Sequence, residues 1–172
     1  MKKLKTYIGL TNPKSPENVA SVMRAAGNYR VDAVFYTGER YSRAVRLNPA
    51  INNLSRKVGS DIPLSAVSQF SADLSEMKII CVELVENALS LPDFQHPDNA
   101  YYIFGPEDGT ISQAVIDKAD AVVYVPTNGC MNLAATVNVV LYDRLSKSGE
   151  SFESRAFVSE NRDTNNNVKV KL

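Results

Sequence analysis

The sequence PTNGCMNLAATVNVVLYDRL, residues 126–145, joins a polar, turn-rich loop to a helix that is apolar on almost every side. The apolar run AVVYVP (Ala121–Pro126) comes directly before the loop and predicts a buried strand. We expect the helix to run from Asn132 to Leu145. Strand, loop and helix in direct succession are typical of an α/β domain with a parallel sheet.

The same alternation of apolar runs and helical patterns continues along the rest of the chain. A helix is predicted after the first strand, another near Ser68–Met77, and a short one capped by Ser112 that ends at Ala119. Further strands are predicted at Thr6–Leu10, Asp32–Gly38, Ile62–Leu64, Lys78–Leu84 and Ala100–Phe104. The sequence therefore predicts one α/β domain over residues 1–148, with a mostly parallel sheet flanked by helices. Residues 149–172 form a polar C-terminal tail that we expect to be frayed or extended.

The first helix has clear start signals and a clear buried face. Ser15 is placed to cap it, Pro16 suits its first position, and Glu17 favours the positive end of the helix dipole. Apolar residues recur at helical spacing at Val19, Val22, Met23 and Ala26. The opposite face carries Glu17, Ser21, Arg24 and Asn28. That face is open to two interpretations, a functional surface or a solvated one with Glu17 paired to Arg24.

Composition excludes several classes of protein. The chain has 172 residues, 44% apolar and 22% charged, as in ordinary globular proteins. It contains no apolar run near the roughly 20 residues that span a bilayer, and no signal peptide is recognisable at its start. We therefore expect a cytoplasmic protein with no membrane span.

Cysteine and histidine are scarce. Cys81, Cys130 and His96 are too few and too widely spaced for a Cys/His zinc site, so we expect no metal. His96 lies in the polar, proline-containing stretch DFQHPDN and is predicted to be a surface residue. Cys81 lies in an apolar run and is predicted to be a reduced core residue.

Charge is distributed unevenly although the formal net charge is zero. Residues 1–60 hold 11 Lys and Arg against 3 Asp and Glu, which is +8, and the other 112 residues carry −8. Such asymmetry indicates a basic face for an anionic partner. The candidate residues are Arg40, Arg43, Arg46, Arg56 and Lys57. A solvated basic excursion from the sheet is the alternative.

Three loops leave the ends of predicted strands in the second half of the chain, and two of them contain glycine. GPEDG follows Phe104, PTNGCMN follows Val125, and a third loop follows Leu84. Glycines 105, 109 and 129 could be plain turns, or they could adopt positive φ or let the backbone approach a ligand. No phosphate-binding G-x-G-x-x-G or G-x-x-x-x-G-K-[ST] motif is present, which disfavours a dinucleotide fold or a P-loop enzyme.

Three segments resemble one known family. NVASVMRAA (Asn18–Ala26), FGPEDGTIS (Phe104–Ser112) and VPTNGCMNLAATVNVVLYD (Val125–Asp143) resemble, in order, the three motifs of the TrmH/SpoU family. These are RNA ribose 2′-O-methyltransferases of the SPOUT superfamily. The resemblance covers about residues 5–147. It implies S-adenosylmethionine as cofactor, a tRNA or rRNA substrate, a homodimer and a C-terminal trefoil knot.

The resemblance also implies roles for individual residues. Arg24 matches the arginine of the first motif, which engages the target phosphate and ribose hydroxyl, and so counts both as catalytic and as RNA-binding. The other candidate catalytic residues are Asn18, Glu107 and Asn132, with Glu107 expected to orient its neighbours rather than react. Backbone at five positions is expected to hold the adenosine part of the cofactor: Leu84, Gly105, Val125, Cys130 and Leu133.

This sequence departs from the family pattern in two motifs. Ala20 replaces the usual glycine of the first motif, and Cys130 and Ala134 stand where the third motif often has serine. A hydroxyl-assisted mechanism is therefore disfavoured. The missing hydroxyls leave open a second function, a non-catalytic RNA-binding or assembly protein that keeps the methyltransferase fold.

Overall fold

A computed structural model describes residues 4–48, 61–70, 76–150 and 155–171 of the chain. Its centre is a seven-stranded sheet in the order β3-β2-β1-β6-β4-β7-β5, and every strand pairing in it is parallel. The strands are β1 (Thr6–Leu10), β2 (Ala33–Tyr36), β3 (Leu64–Ala66), β4 (Lys78–Val82), β5 (Leu89–Ser90), β6 (Ala100–Phe104) and β7 (Ala121–Tyr124). The predicted parallel α/β sheet is confirmed.

Within the described ranges, five α-helices connect or follow the strands. They are α1 (Pro16–Asn28), α2 (Arg40–Leu47), α3 (Gln113–Ile116), α4 (Leu133–Lys147) and α5 (Arg155–Asn161), with a 3₁₀ turn at Leu91–Asp93. The predicted cap of α1 is confirmed, since the Ser15 hydroxyl oxygen accepts a hydrogen bond from the Asn18 amide. Ser112 occupies the N-cap position of α3, as predicted, but its side chain makes no capping hydrogen bond, and the helix ends at Ile116 rather than at Ala119.

The core lies on both faces of the sheet and is thickest under α1 and α4. β1 and β6 pair at the centre, with Ile8 opposite Tyr102, and both residues are fully buried. The predicted stripe of α1 faces α4 across this core, and all four of its residues are buried. On the other face Cys81 is fully buried, as predicted, and burial raises the pKa of its thiol to about 12.

The helix α4 is buried on one side and open on the other. Leu133, Val137 and Leu141 pack into the core. Tyr142, by contrast, is 63% exposed. This mostly apolar helix therefore keeps a large side chain exposed in the single chain.

Three predictions about secondary structure need correction. The strand expected at Ile62–Leu64 lies two residues later, at Leu64–Ala66. The two-residue strand β5 was not predicted, because two residues are too few to show an alternating pattern. The tail is not frayed or extended throughout, since it contains α5, whose sequence RAFVSEN includes the good helix formers Arg, Ala and Glu.

Other expectations are not settled by the described residues. The helix predicted near Ser68–Met77 has its centre, residues 71–75, outside them. The trefoil knot stays a prediction. Within the described part of the chain, no helix combines the length and apolar character needed to cross a membrane.

His96 is not a surface residue, which corrects the prediction. Its side chain is only 4% exposed. Nδ1 lies 2.6 Å from the Tyr102 hydroxyl and Nε2 lies 2.8 Å from a carboxylate oxygen of Asp143 on α4. The polar neighbours in the sequence suggested exposure, but the loop folds back so that this one side chain enters a polar cluster under α4.

Candidate functional site

The carboxyl ends of β4, β6 and β7 lie side by side in the sheet, and the loops that leave them line a cavity with the start of α4. This is the edge where parallel sheets bind ligands. All five residues predicted to bind cofactor line the cavity: Leu84, Gly105, Val125, Cys130 and Leu133. Residues almost 50 positions apart in the sequence thus share one pocket, which the sequence resemblance alone predicted.

Among the glycines in these loops, Gly105 is the one that packs most closely against a neighbour, whereas Gly129 has nothing within 4 Å of a Cβ position. A Cβ at position 105 would lie 2.8 Å from a carboxylate oxygen of Glu83, which is closer than real Cβ contacts allow. Among the described glycines, only Gly38 and Gly149 have positive φ. Of the alternatives for glycines 105, 109 and 129, positive φ is therefore wrong, and close approach of the backbone to a ligand stays a prediction.

Glu83 is a cavity residue that the sequence analysis missed. It follows β4 directly and lines the cavity. Its Oε1 accepts a hydrogen bond from the amide of Leu84 at 3.1 Å, and its Oε2 accepts one from the amide of Ile111 at 3.0 Å. A signal was present, because a carboxylate at the end of a buried strand in KIICVEL sits at the ligand-binding edge of a parallel sheet.

Asn132 caps α4 and also reaches the first motif. Its Oδ1 accepts hydrogen bonds from the amides of Ala134 at 2.9 Å and Ala135 at 3.2 Å, which satisfies two unpaired donors at the helix start. Its Nδ2 donates to Oδ1 of Asn18 at 2.9 Å. One side chain therefore fixes the loop over the cavity and ties it to α1.

Asn18 is in turn hydrogen-bonded to Glu107. The Asn18 Nδ2 donates to Oε1 of Glu107 at 3.1 Å. The Glu107 carboxylate also accepts from the amides of Ser15 at 3.0 Å and Lys14 at 2.9 Å. We call Asn18, Glu107 and Asn132 the motif triad, since each comes from a different one of the three motifs.

Glu107 is held in its ionised form. Burial raises the pKa of its carboxyl, but the hydrogen bonds from Ser15, Lys14 and Asn18 outweigh that effect, and the net pKa is lowered. An ionised carboxylate with several donors already bound is suited to orienting its neighbours. This agrees with the orienting role expected for Glu107.

The structure does not bring Arg24 to the motif triad or to the cavity wall. Arg24 is exposed on α1, six residues after Asn18, which is about one and two-thirds helical turns. Among the described residues it forms no ion pair. The alternative Glu17–Arg24 pair is absent, and Glu17 instead accepts a hydrogen bond from the Ser15 hydroxyl at 2.8 Å. Arg24 thus presents an uncompensated cation to solvent.

The predicted basic cluster divides into two groups in the structure. Arg40 contacts Asp108 at 2.8 Å and lies 3.8 Å from Glu107, so acidic neighbours offset most of its charge. Arg43 and Arg46 are exposed on α2. Arg56 and Lys57 lie outside the described residues.

Two of these basic residues, Arg40 and Arg43, line an open depression. Its wall is formed by Lys14, Arg40, Arg43, Ala44, Leu47 and Asp108. Lys14 adds a further ion pair to Asp108 at 3.6 Å. The depression is therefore mixed in charge close to the motif triad and becomes basic toward the exposed side of α2.

The cavity wall fits a nucleoside-type cofactor. Leu84, Val125 and Leu133 supply apolar surface for a base, while Gly105 leaves the space that a side chain would fill. Polar side chains of the wall, which can orient a ligand, are Glu83, Glu107, Tyr124, Thr127 and Thr136. Among the described residues, no group of three or more His, Cys, Asp or Glu could hold a metal ion.

Comparison with known proteins gives one family match. The model of the SpoU rRNA Methylase family matches residues 5–142. A tRNA (cytidine-2′-O-)-methyltransferase, TrmJ of Methanocaldococcus jannaschii, is 27% identical over 157 residues, which cover 80% of this chain. This chain spans 66% of the length of that relative.

Two solved structures show the same fold at low sequence identity. One concerns 2-OH methylation of C/U34 on tRNA; it has a TM-score of 0.70 and 18% identity and covers 85% of this chain and 97% of its own. The other is the SpoU methyltransferase AviRb of Streptomyces viridochromogenes in complex with AdoMet. Its TM-score is 0.66 at 18% identity, with coverage of 86% of this chain and 59% of its own.

Proposed function

Because the chain belongs to the SpoU rRNA Methylase family, we propose that it transfers a methyl group from S-adenosylmethionine to a ribose 2′-hydroxyl of RNA. The observation that carries the proposal is the motif triad. Asn18 and Asn132 are 114 residues apart, yet they are hydrogen-bonded at 2.9 Å beside the cavity. Three motifs that converge on one pocket support a shared chemical role.

The cavity residues would hold S-adenosylmethionine, which supplies a methyl group on an already electrophilic sulfonium. The main task of the protein is then to align that methyl group with the nucleophile. Apolar wall residues exclude water, and the motif triad fixes the loop between β7 and α4. No metal is needed for this chemistry.

Arg24 would bind the phosphate of the target nucleotide. It carries a permanent positive charge, which stabilises a developing alkoxide but makes it a poor proton acceptor. Its exposure and lack of an ion pair with described residues support this role, since an RNA phosphate could reach it without displacing a partner.

RNA affinity would come from the exposed basic residues of α2 and from Lys14. Arg43 and Arg46 are open to solvent, whereas Arg40 is already paired with Asp108. Folded RNA is recognised largely through its backbone and shape, so binding should weaken steeply with salt. A tRNA substrate is supported by the relative TrmJ, which is a tRNA (cytidine-2′-O-)-methyltransferase.

A homodimer is part of the proposal. On α4, Tyr142 is exposed in the single chain. A second copy packed there would cover it, as the family resemblance implies. Size-exclusion chromatography with light scattering should give twice the mass of one chain.

The proposed role of Arg24 predicts a separation of binding from turnover. Replacing Arg24 with Ala should abolish methyl transfer, because the phosphate contact is lost, while S-adenosylmethionine still binds. Isothermal titration calorimetry measures the binding, and mapping of 2′-O-methylation across tRNA and rRNA measures transfer. Lys118→Ala, which removes an exposed charge elsewhere, is the matched control.

Two outcomes would contradict these assignments. Loss of cofactor binding in Arg24→Ala would refute the phosphate-binding role. If the unmodified chain bound no S-adenosylmethionine, alone or with RNA, it would instead be a non-catalytic RNA-binding or assembly protein.

A further inference from the structure

The cavity wall carries negative charge and no described cation. Its residues include two carboxylates, Glu83 and Glu107, but no described Lys, Arg or His. Charges inside a partly enclosed pocket interact more strongly than charges at an open surface, because less water screens them. The balance of charge in the wall therefore matters for which ligands bind.

The charge of Glu107 is offset by its surroundings. Arg40 Nη2 lies 3.8 Å from a carboxylate oxygen of Glu107. Two backbone amides and the Asn18 amide also donate to the same carboxylate. These neighbours offset the negative charge of Glu107, so a ligand in the cavity is little affected by that charge.

Glu83 has no such compensation. It forms no ion pair with a described residue, and its hydrogen bonds come from two uncharged amides, those of Leu84 and Ile111. Each oxygen accepts one hydrogen bond and retains the capacity for another. The negative charge of Glu83 is therefore available to interact with a ligand in the cavity.

The position of this carboxylate is also fixed. The amide of Leu84 holds one of its oxygens and the amide of Ile111 holds the other. The residue belongs to the segment leaving β4 and contacts the segments that follow β6. A charge fixed before a ligand binds acts without a cost of reorganisation.

We propose that Glu83 is a specificity-determining residue that makes the cavity prefer the sulfonium cofactor to its neutral thioether product. The inference rests on the proposed function. S-adenosylmethionine and S-adenosylhomocysteine share the same nucleoside and amino-acid groups, and differ in the methyl group and the positive charge on sulfur. An uncompensated carboxylate stabilises only the charged form, which favours loading of cofactor and release of product.

The test compares the affinities of both ligands by isothermal titration calorimetry. Relative to the unmodified chain, Glu83→Gln should weaken S-adenosylmethionine binding about tenfold, since a single charge contact at moderate dielectric corresponds to roughly that factor. S-adenosylhomocysteine binding should change less than about twofold, because the neutral sulfur gains little from the carboxylate. The ratio of the two dissociation constants is the readout.

Two variants control for loss of structure. Glu86→Gln removes the same charge from an exposed position on the same loop and should leave both affinities unchanged. Glu83→Asp keeps the charge and should keep the preference for the sulfonium even if both ligands bind more weakly. This second variant tests the charge if Glu83→Gln does not fold.

The outcomes separate this inference from the proposed function. Equal weakening of both ligands in Glu83→Gln would leave the ratio unchanged and mean that Glu83 only holds the loops, whereas unchanged affinities for both ligands would mean that its charge has no role. Either result overturns the inference while leaving the methyltransferase assignment intact. If neither ligand bound the unmodified chain, the proposed function itself would fail and the inference with it.

Discussion

The two ends of α4 carry polar networks of opposite character. At its start, Asn132 joins α1 through Asn18 beside the cavity, and Asn132 remains exposed. At its end, Asp143 and its neighbours Arg144 and Lys147 hold the loop that contains His96. Both networks connect distant parts of the chain, but only the first borders a cavity.

The network at the end of α4 uses its polar groups internally. Both ring nitrogens of His96 have partners. Arg144 donates to the carbonyls of Pro97 and Asp98, each at 2.6 Å, and Lys147 donates to that of Leu91 at 2.7 Å. The two cations also suit the negative end of the helix dipole. A network closed in this way stabilises the fold and has little left to offer a ligand.

The network at the start of α4 keeps unused hydrogen-bonding capacity near solvent. This contrast teaches that a polar cluster indicates a functional site when it is open to a ligand, whereas a buried and satisfied cluster indicates stability. Substitutions at the two ends of one helix should therefore have different effects.

The largest effect on stability is expected in the network around His96, at the C-terminal end of α4. His96→Ala leaves the Tyr102 hydroxyl and the Asp143 carboxylate each short of a partner in a nearly buried site. The free energy of unfolding should fall by about 2–3 kcal/mol. Urea denaturation followed by circular dichroism measures the change.

The control for this change is Gln95→Ala at the exposed neighbouring position, which should alter stability little. S-adenosylmethionine affinity of folded His96→Ala should match that of the unmodified chain. A stability change below about 0.5 kcal/mol would show that the buried network contributes little to folding.

A smaller effect on stability, but a larger one on activity, is expected in the network around Asn132, at the N-terminal end of α4. Asn132→Asp keeps an acceptor for the two capping amides and loses the donor to Asn18. Stability should therefore be retained, while methyl transfer falls about fivefold, since one hydrogen bond contributes about 1 kcal/mol. Single-turnover methylation of tRNA measures the rate.

Asn132→Ala is the matched variant, because it removes the cap as well as the donor. Its stability should fall by about 1 kcal/mol, in addition to the loss of activity. Full activity in Asn132→Asp would show that the contact between the first and third motifs is dispensable.

The smallest expected effect is the pH dependence of the stability that His96 contributes at the C-terminal end of α4. Burial lowers the pKa of His96 below its ordinary value of 6.5 and outweighs the hydrogen bond and charge of Asp143, which raise it, while Arg144 and Lys147 lower it further. The unfolded chain therefore binds the proton more readily than the folded chain. The stability contributed by neutral His96 is complete above pH 6.5 and is lost as the pH falls toward the folded pKa.

Urea denaturation at about pH 7.5 and about pH 5.5 tests this linkage. The unmodified chain should lose more stability between these values than His96→Gln, which has no titrating ring. Equal losses in the two proteins would mean that the pKa of His96 is not lowered by folding.

Much of the site followed from sequence because it lies in motifs. The five cofactor positions and the motif triad were assigned by resemblance, and the structure brings the two sets to one edge of the sheet. Arg40 shows the limit of this reasoning. A basic residue in a basic segment predicted RNA contact, but its acidic partner Asp108 is 68 residues away in the sequence.

The sequence by itself determined the alternation of strands and helices, the buried stripe of α1 and the cap at Ser15, because these depend on local spacing and nearest neighbours. Tertiary structure alone decided that the His96 side chain is buried and that Glu83 lines the cavity without an ion pair to any described residue. Burial and charge compensation depend on which distant residues fold against a side chain. Local pattern records a residue's own preference, and the packed structure decides which neighbours it meets.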